Sequence, residues 1–462
     1  MLSTLGAAWA QHELQAVDFA DQRLAKRSIT LLNDFYAQPL ASIPQACGTV
    51  SKSQAAYEYF DNFSVEFPAL MSSHAKATLQ RVQDYPVVLA VQDTTSLNHS
   101  THSATEGLGP IGTNPDKTVG MLVHSTLVFT PEAVPLGLLH VQVWARDPEE
   151  FGKKKTRAQR PIEEKESYKW LRSFQACQQA QAQLPQTILV NIGDRESDIY
   201  ELFELALSQP HHPHLLIRAE QNRQLEDEAS HLWDFMARQP VGATIEAHVP
   251  PKNKRPERDA TLEVRFAPVP IKPPARLGSS HPTLKLWAVW AEEVAPPPGA
   301  EPISWMLLTT LPVLTVEQAL EKLQWYAIRW QIELFHKVLK SGCRAEDRQL
   351  KTEQRLERCL FFDLLVAWRI LLLTKLGREV PHLPASTVFE PEEWQVLYCF
   401  IHKTTQLPQQ EPSLREAIRM VAQLGGFLGR KADKEPGTIT LWRGLQRLHD
   451  LVAGYKLRPA PA

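Results

Sequence analysis

The sequence predicts an α/β fold, and three features carry that reading. Short, buried-looking runs rich in β-branched residues occur at Val87–Val91 and Thr187–Ile192. A stretch with helical character, Glu163–Gln183, lies between them. Residues 1–80 and 413–455 read as helical. In the first of these helical regions, Ala16–Tyr36 sets Val17, Phe19, Leu24, Ile29, Leu31, Leu32 and Phe35 among arginines and lysines. A second helix is predicted over Lys52–Phe63, opened by Ser51 or Ser53 as a cap. After Pro86 the pattern changes to strands: Val87–Val91, then Met121–Phe129 and Leu136–Trp144 joined by a turn at Pro131–Pro135. A helix over Glu163–Gln183, a strand at Thr187–Ile192, a helix over Ser197–Ser208 and a short strand at Leu215–Arg218 follow.

Three strands, helix, strand, helix, strand is an order that resembles the ribonuclease-H-like fold. Beyond it, residues from about 220 to 310 are rich in proline and short strand-like runs: Thr244–Val249, Thr261–Phe266 and Leu284–Trp290. They are predicted to form a β-rich insertion, with loops at the proline clusters 250–256, 268–274 and 296–298. Residues 315–376 are strongly helical with a break near Gly342, and a short helix is predicted near Pro391–Ile401. The expected layout is a helical N-terminal domain (1–75), a catalytic core (76–375) and a helical C-terminal domain (376–462).

Composition excludes several classes. With 43% hydrophobic and 22% charged residues in 462, the chain reads as an ordinary globular protein. No run reaches the roughly 18 apolar residues of a membrane span, and Met1–Ala10 has no basic residue to open a signal peptide. Cys47, Cys177, Cys343, Cys359 and Cys399 are odd in number, scattered and without a CxxC pair. A disulfide or zinc framework is therefore not expected, and a reducing cytoplasm is. The net charge of -2 does not by itself announce a nucleic-acid binder; the distribution of charge matters more.

Two acids stand at strand ends, Asp93 after Val91-Gln92 and Asp194 after Ile192-Gly193. Carboxylates at the carboxyl ends of neighbouring strands converge on one sheet edge. Their mutual repulsion is relieved by a divalent cation, and all-oxygen ligation suits magnesium or manganese. A third acid is expected from a helix, and Tyr326, Arg329, Glu333 and Lys340 supply a dense pattern. At about 100° per residue, Tyr326, Glu333 and Lys340 nearly align, with Arg329 within about 40°. Cations beside a carboxylate suit a phosphate docked next to a metal; an Arg329–Glu333 salt-bridge ladder is the structural alternative. Two metals about 3.5–4 Å apart can clamp the attacking and leaving oxygens of an in-line phosphoryl displacement.

These residues carry a resemblance. The spacing Tyr326-x2-Arg329-x3-Glu333-x6-Lys340 matches, at every interval, the Y-R-E-K signature of the DDE transposases of the IS-four family. Asp194-Arg195-Glu196-Ser197-Asp198-Ile199 and Asp93-Thr94-Thr95-Ser96-Leu97 resemble the family's segments around its other two acids. Asp116-Lys117-Thr118, His124-Ser125, Glu164–Ser167 ahead of Lys169-Trp170, and Leu424–Lys431 extend the likeness over nearly the whole chain.

The resemblance implies cut-and-paste transposition by nicking, hairpin formation, hairpin opening and strand transfer. It implies two Mg2+ or Mn2+ ions on Asp93, Asp194 and Glu333. It also implies a helical DNA-binding domain, a homodimer in the synaptic complex, and double-stranded transposon ends and target DNA as partners. Such a protein would work in the cytoplasm, on the nucleoid. Tyr326, Arg329 and Lys340 match residues that grip phosphate near a flipped base, and Arg218 matches a further phosphate contact. Trp305, 21 residues before Tyr326, matches the tryptophan on which that base stacks, and Trp330 a wedge-like second one. Without the family, either tryptophan could equally be a core aromatic.

Basic stretches at Lys252–Arg258 (Lys252, Lys254, Arg255) and Lys153–Arg157 are candidates to neutralise phosphates, or are solvated loops. Arg23, Lys26 and Arg27 are candidates for end-sequence contact. Two other readings are a catalytically silent DNA-binding inhibitor and a ribonuclease-H-like nuclease without strand transfer. The intact acids and clamp speak against the first, and Trp305 with the clamp against the second.

Overall fold

The computed structural model describes residues 6, 8–112, 118–150, 160–226, 231–249, 257–430 and 433–457. In chain order its strands are β1 (Val87–Asn98), β2 (Gly109–Pro110), β3 (Val119–Phe129), β4 (Pro135–Trp144), β5 (Ile188–Gly193), β6 (His214–Arg218), β7 (Ala243–Val249), β8 (Arg258–Ile271), β9 (Leu284–Glu293) and β10 (Ser304–Thr309). The chain divides into two compact units, one of residues 85–93 and 153–330, the other of residues 1–84, 94–152 and 331–462. The class is α/β, with a ribonuclease-H-like core and helical N- and C-terminal regions.

In the first unit β1 and β5 run parallel, Val87 opposite Ile188 through Val91 opposite Ile192, and β6 lies parallel beyond β5. The sheet continues antiparallel through β10, β9, β8 and β7. Leu89, Val91, Leu189, Val190, Leu215 and Ile217 are fully buried, as expected of strands covered on both faces. The helices Tyr168–Gln181 and Tyr200–Leu207 supply Trp170, Phe174, Tyr200 and Phe203 to the same core. The first of these starts later than the sequence suggests, because residues 162–164 form a 3-10 turn ahead of it.

The insertion holds the expected strands, but longer. β8 runs through Pro268 and Pro270, which the sequence marks as loop. β7 pairs only with residues 258–264 of β8, so those prolines have β9 on one side and no β7 on the other. An edge tolerates a residue without an N–H. A short helix, Leu232–Ala237, also lies in the insertion, where only strands were foreseen.

In the other unit β3 pairs antiparallel with β2 and β4. The Phe67–Val82 helix packs on β4, and Gly137 is what permits it: a Cβ there would meet Thr78 Oγ1 at 2.1 Å. The helices Gln22–Ala37, Val50–Asp61 and Phe67–Val82 surround the Glu353–Glu379 helix. That long helix is buried on nearly every side, including Leu360–Leu373 throughout, as a helix apolar all round must be. The Val50–Asp61 helix is capped by Thr49 rather than by Ser51 or Ser53. A Cβ on Gly425 would meet Thr440 O, and one on Gly444 would meet Val421 O, each at 1.8 Å, so these glycines let the Leu414–Leu424 and Thr438–Lys456 helices cross closely.

An ion cluster without solvent contact ties the N-terminal helices together. Glu13, fully buried, takes Arg81 Nη1 at 2.6 Å and His74 Nδ1 at 2.6 Å. Leu138 donates its backbone N–H to His74 Nε2 at 3.0 Å. With Nε2 accepting, the proton of a neutral imidazole sits on Nδ1 and points at Glu13. Burial holds the His74 pKa down despite Glu13. Burial alone would raise the Glu13 pKa, but Arg81 and His74 more than reverse that and hold it at about 2.

All five cysteines are free, four of them buried. Among the described residues no helix is long and apolar enough to cross a membrane.

Candidate active site

Asp93 does not follow β1 but lies inside it. Thr94, Thr95 and Ser96 keep the strand extended, and only its burial lapses after Gln92, so the sequence signal fades before the strand ends. Pairing with β5 stops at Val91 opposite Ile192. Asp93 lies two residues beyond the last paired residue of β1, and Asp194 two residues beyond that of β5, just past the end of the strand at Gly193. Behind them, Gln92 donates to Asn191 Oδ1 at 2.8 Å and couples the same two strands.

After β5 the chain turns at once into a 3-10 turn, Arg195–Ser197. The Asp194 carboxylate accepts the Glu196 N–H at 2.9 Å, and the Ser197 hydroxyl donates to the Asp194 carbonyl at 2.6 Å. Gly193 makes the turn possible, because a Cβ there would stand 2.2 Å from Ser197 Oγ. Sequence, local turn and acid position are thus one linked unit.

Cations and aromatics face these acids. Arg329 Nη1 lies 3.9 Å from Asp93 Oδ2, with both side chains largely buried. Arg218, at the end of β6, donates to the Ser304 carbonyl at 2.9 Å. Its pKa is lowered chiefly by burial, and the charges of Arg195 and Arg329 push the same way. Tyr326 is 4% exposed, and burial raises its pKa, so the phenol remains a protonated donor at neutral pH. Arg329, Arg218 and Asp194 all act on it electrostatically. The Trp305 ring stands edge-on to Tyr326, 5.4 Å between centroids.

A cavity of about 820 Å³ is lined by Asp194, Arg195, Arg218, Arg258, Trp305, Tyr326, Arg329 and the loop Pro297–Ser304. Four arginines, Arg195, Arg218, Arg258 and Arg329, around the Asp194 carboxylate make a place for a phosphate beside acidic oxygens. Trp330 is 55% exposed, with Arg329 over its ring at 5.5 Å, so the core reading of this tryptophan does not hold.

The Tyr326–Lys340 interval is not one helix. The helix Val316–Ile328 ends in a turn at Arg329 and Trp330, a second helix covers Gln331–Lys337, and a π turn covers Val338–Gly342. A single helical wheel therefore does not carry from Tyr326 to Lys340. Glu333, half-buried, is in the first turn of the second helix, and Lys340 is in the π turn; both belong to the other unit. Arg329 faces Asp93.

Among the described residues no group of three or more His, Cys, Asp or Glu stands ready to hold a metal. The donor chemistry nevertheless fits a hard divalent cation: Asp93 within β1 and Asp194 directly after β5 offer carboxylate oxygens.

Lys252, Lys254, Arg255, Lys153–Arg157, Asp116-Lys117 and Lys431 lie outside the described residues. The end of the first basic stretch, Arg258, is described and lines the cavity. In the N-terminal region Arg23 pairs with Asp21 at 2.8 Å and is 90% exposed, and Lys26 is exposed. Sequence reasoning missed Glu293 and Ser304, which hold Arg258 and Arg218. Nothing in their spacing marks them, because their partners are distant in sequence.

Three family models match the chain. "Transposase DNA-binding" covers residues 6–65, "Transposase DDE domain" covers 182–368, and "Transposase Tn5 dimerisation domain" covers 365–460. A solved structure of the piggyBac transposase synaptic complex with hairpin DNA is similar at a TM-score of 0.34 and 9% identity, over 100% of this chain and 80% of that one. A likeness that loose bears on neither fold nor function.

Proposed function

Because the chain belongs to the Tn5-like DDE transposases, divalent-metal-dependent enzymes acting on DNA, we propose that it moves its element by cut-and-paste through a hairpin intermediate. The observation that supports this is the cavity lined by Asp194, Arg218, Trp305, Tyr326 and Arg329, with Arg329 also 3.9 Å from Asp93. In the proposed sequence, water attacks the phosphodiester at the transposon end, and the 3′-oxygen leaves with a proton. The freed 3′-hydroxyl attacks the opposite strand, closing a hairpin and releasing the flanking 3′-end. A second water opens the hairpin, and the 3′-hydroxyl then attacks target DNA.

Asp93, Asp194 and Glu333 would hold two Mg2+ or Mn2+ ions, Glu333 by its place in the Y-R-E-K pattern. Those ions supply activation of the attacking oxygen and charge stabilisation at the leaving one. The chain's own residues bind and orient. Arg218 and Arg329 accept the phosphate's charge, and Tyr326 donates a hydrogen bond. Lys340 joins this clamp as the fourth member of the motif. Trp305 offers a ring face for a base taken out of the helix, which offsets the few kcal/mol of unstacking. Trp330 acts as the wedge. Residues 1–75 bind the transposon end, with Arg23, Lys26 and Arg27 toward phosphate, and residues 376–462 pair two copies on two ends.

The test is a duplex carrying the element's own terminal repeat, incubated with the purified protein and Mn2+ or Mg2+. Nick, hairpin and blunt end are expected in that order. A protein that binds the repeat and leaves it intact with both metals overturns the reading, and nicks without a hairpin leave a plain nuclease.

A further inference from the structure

Glu293 belongs to none of the motifs, yet it is one of the best-held carboxylates in its unit. It ends β9, its side chain is 2% exposed, and it takes the Arg258 guanidinium in a two-pronged ion pair, Nη2 to Oε2 at 2.8 Å. The same Oε2 accepts the backbone N–H of Ile303 at 2.9 Å, and the Glu293 N–H donates back to the Ile303 carbonyl at 2.8 Å. Ile303 immediately precedes β10, whose first residues are Ser304 and Trp305. The Ser304 hydroxyl accepts the Trp290 indole N–H at 3.0 Å, and its carbonyl holds Arg218.

One buried carboxylate therefore fixes two things at once: the strand start that carries Trp305, and an arginine on the cavity wall. A buried carboxylate serving only stability is replaceable by an apolar group. This one is coupled instead to a partially exposed arginine facing acids, cations and an aromatic face.

We propose that Glu293 is a positioning residue and Arg258 a DNA phosphate contact: together they set the Trp305 platform and grip the strand carrying the displaced nucleotide. The proposal rests on the base-stacking role given above to Trp305. Arg258 keeps guanidinium donors beyond those engaged by Glu293, and five are available in all. A phosphate of the unpaired strand is the group that the arginine-lined cavity would take.

The experiment uses the full-length protein with a terminal-repeat duplex that has 2-aminopurine at the nucleotide next to the cleaved end. Fluorescence on complex formation and single-turnover hairpin formation are followed together, with thermal unfolding as a control. For Glu293→Ala, the fluorescence gain is expected to fall at least fivefold and the hairpin rate at least tenfold, more than nicking falls. Glu293→Gln keeps an acceptor for Ile303 but loses the negative charge that faces Arg258, and is expected to fall between. Arg258→Ala is expected to slow hairpin formation and flatten its salt dependence. If Glu293→Ala does not fold, Glu293→Gln and Arg258→Ala decide. Trp305→Ala separates the two layers. If it abolishes the fluorescence gain while the Glu293 and Arg258 variants keep it, the positioning role is wrong. If Trp305→Ala itself leaves the gain unchanged, the stacking role falls and the positioning role with it.

Discussion

Arg329 holds its guanidinium 3.9 Å from the Asp93 carboxylate, and both side chains are largely shielded from water. The arginine and a divalent cation compete for the same oxygens, and the arginine is expected to yield the carboxylate and turn to DNA phosphate. Arg329→Ala should therefore bind Mn2+ a few-fold more tightly by calorimetry, because a like charge is removed. Its single-turnover nicking should nevertheless fall on the order of a hundredfold, about 2.7 kcal/mol of transition-state stabilisation. Weaker Mn2+ binding in this variant would show that the arginine orders Asp93 for the metal instead.

Gly193 links strand to turn to acid. Gly193→Ala would put a methyl 2.2 Å from Ser197 Oγ and 2.7 Å from its Cβ. Forcing atoms into so tight a place costs typically about 1–3 kcal/mol, and here the strain falls on the turn that aims Asp194. Nicking is expected to drop about ten- to a hundredfold while the fold survives. Ser197→Gly removes the clashing atoms, and the double variant should recover most of the loss. A double variant as slow as Gly193→Ala would mean that Ile217, 3.2 Å from the added methyl, is the obstruction.

How far the sequence reached can be judged from these elements. Both aspartates were legible because each follows a β-branched run that only a buried strand explains. The strand around Asp93 was read too short because Thr94–Ser96 are polar and half-buried, which hides a strand whose backbone continues. The Tyr326–Lys340 spacing was legible as a pattern, but the turn at Arg329-Trp330 and the π turn at Val338–Gly342 were not. No glycine or proline interrupts the residues between Tyr326 and Lys340. Pro268 and Pro270 misled for the opposite reason: a breaker is harmless where β7 has ended and the strand needs no N–H from that residue on that side. The Glu293–Arg258–Ile303 clamp joins residues 35 and 10 apart, and no local rule reads such pairings.

The Glu13 cluster should make the protein acid-labile. The Glu13 pKa falls from an ordinary 4.5 to about 2 on folding, with Arg81 and His74 overcoming the penalty of burial. The unfolded chain then binds the proton more readily, so stability drops as pH falls. The contribution is complete above about pH 4.5 and disappears as pH nears about 2. Glu13→Ala leaves Arg81 buried without its partner and should cost roughly 3–5 kcal/mol at neutral pH. Urea unfolding at pH 7 and pH 3 checks both: the variant's deficit should shrink at the lower pH. A deficit equal at both would assign it to lost packing.

Trp330 separates a DNA role from a folding role most cleanly, because it has little folding role to lose. At 55% exposure its ring lies on the surface, with Arg329 at 5.5 Å from its centroid. A cation–π contact at such a site is worth about 0.5–1 kcal/mol, and surface changes generally stay within about 0.5 kcal/mol. Trp330→Ala should accordingly shift unfolding by no more than about 1 kcal/mol. A base–aromatic contact is worth about 1–3 kcal/mol, so hairpin formation should slow by roughly five- to a hundredfold. Trp330→Phe keeps a face and should retain most of the rate. Because Arg329 is its neighbour, Trp330→Ala can also loosen that guanidinium, and Mn2+ binding tells the two apart. An altered Mn2+ affinity would trace the defect to Arg329 and Asp93, and an unaltered one to the wedge.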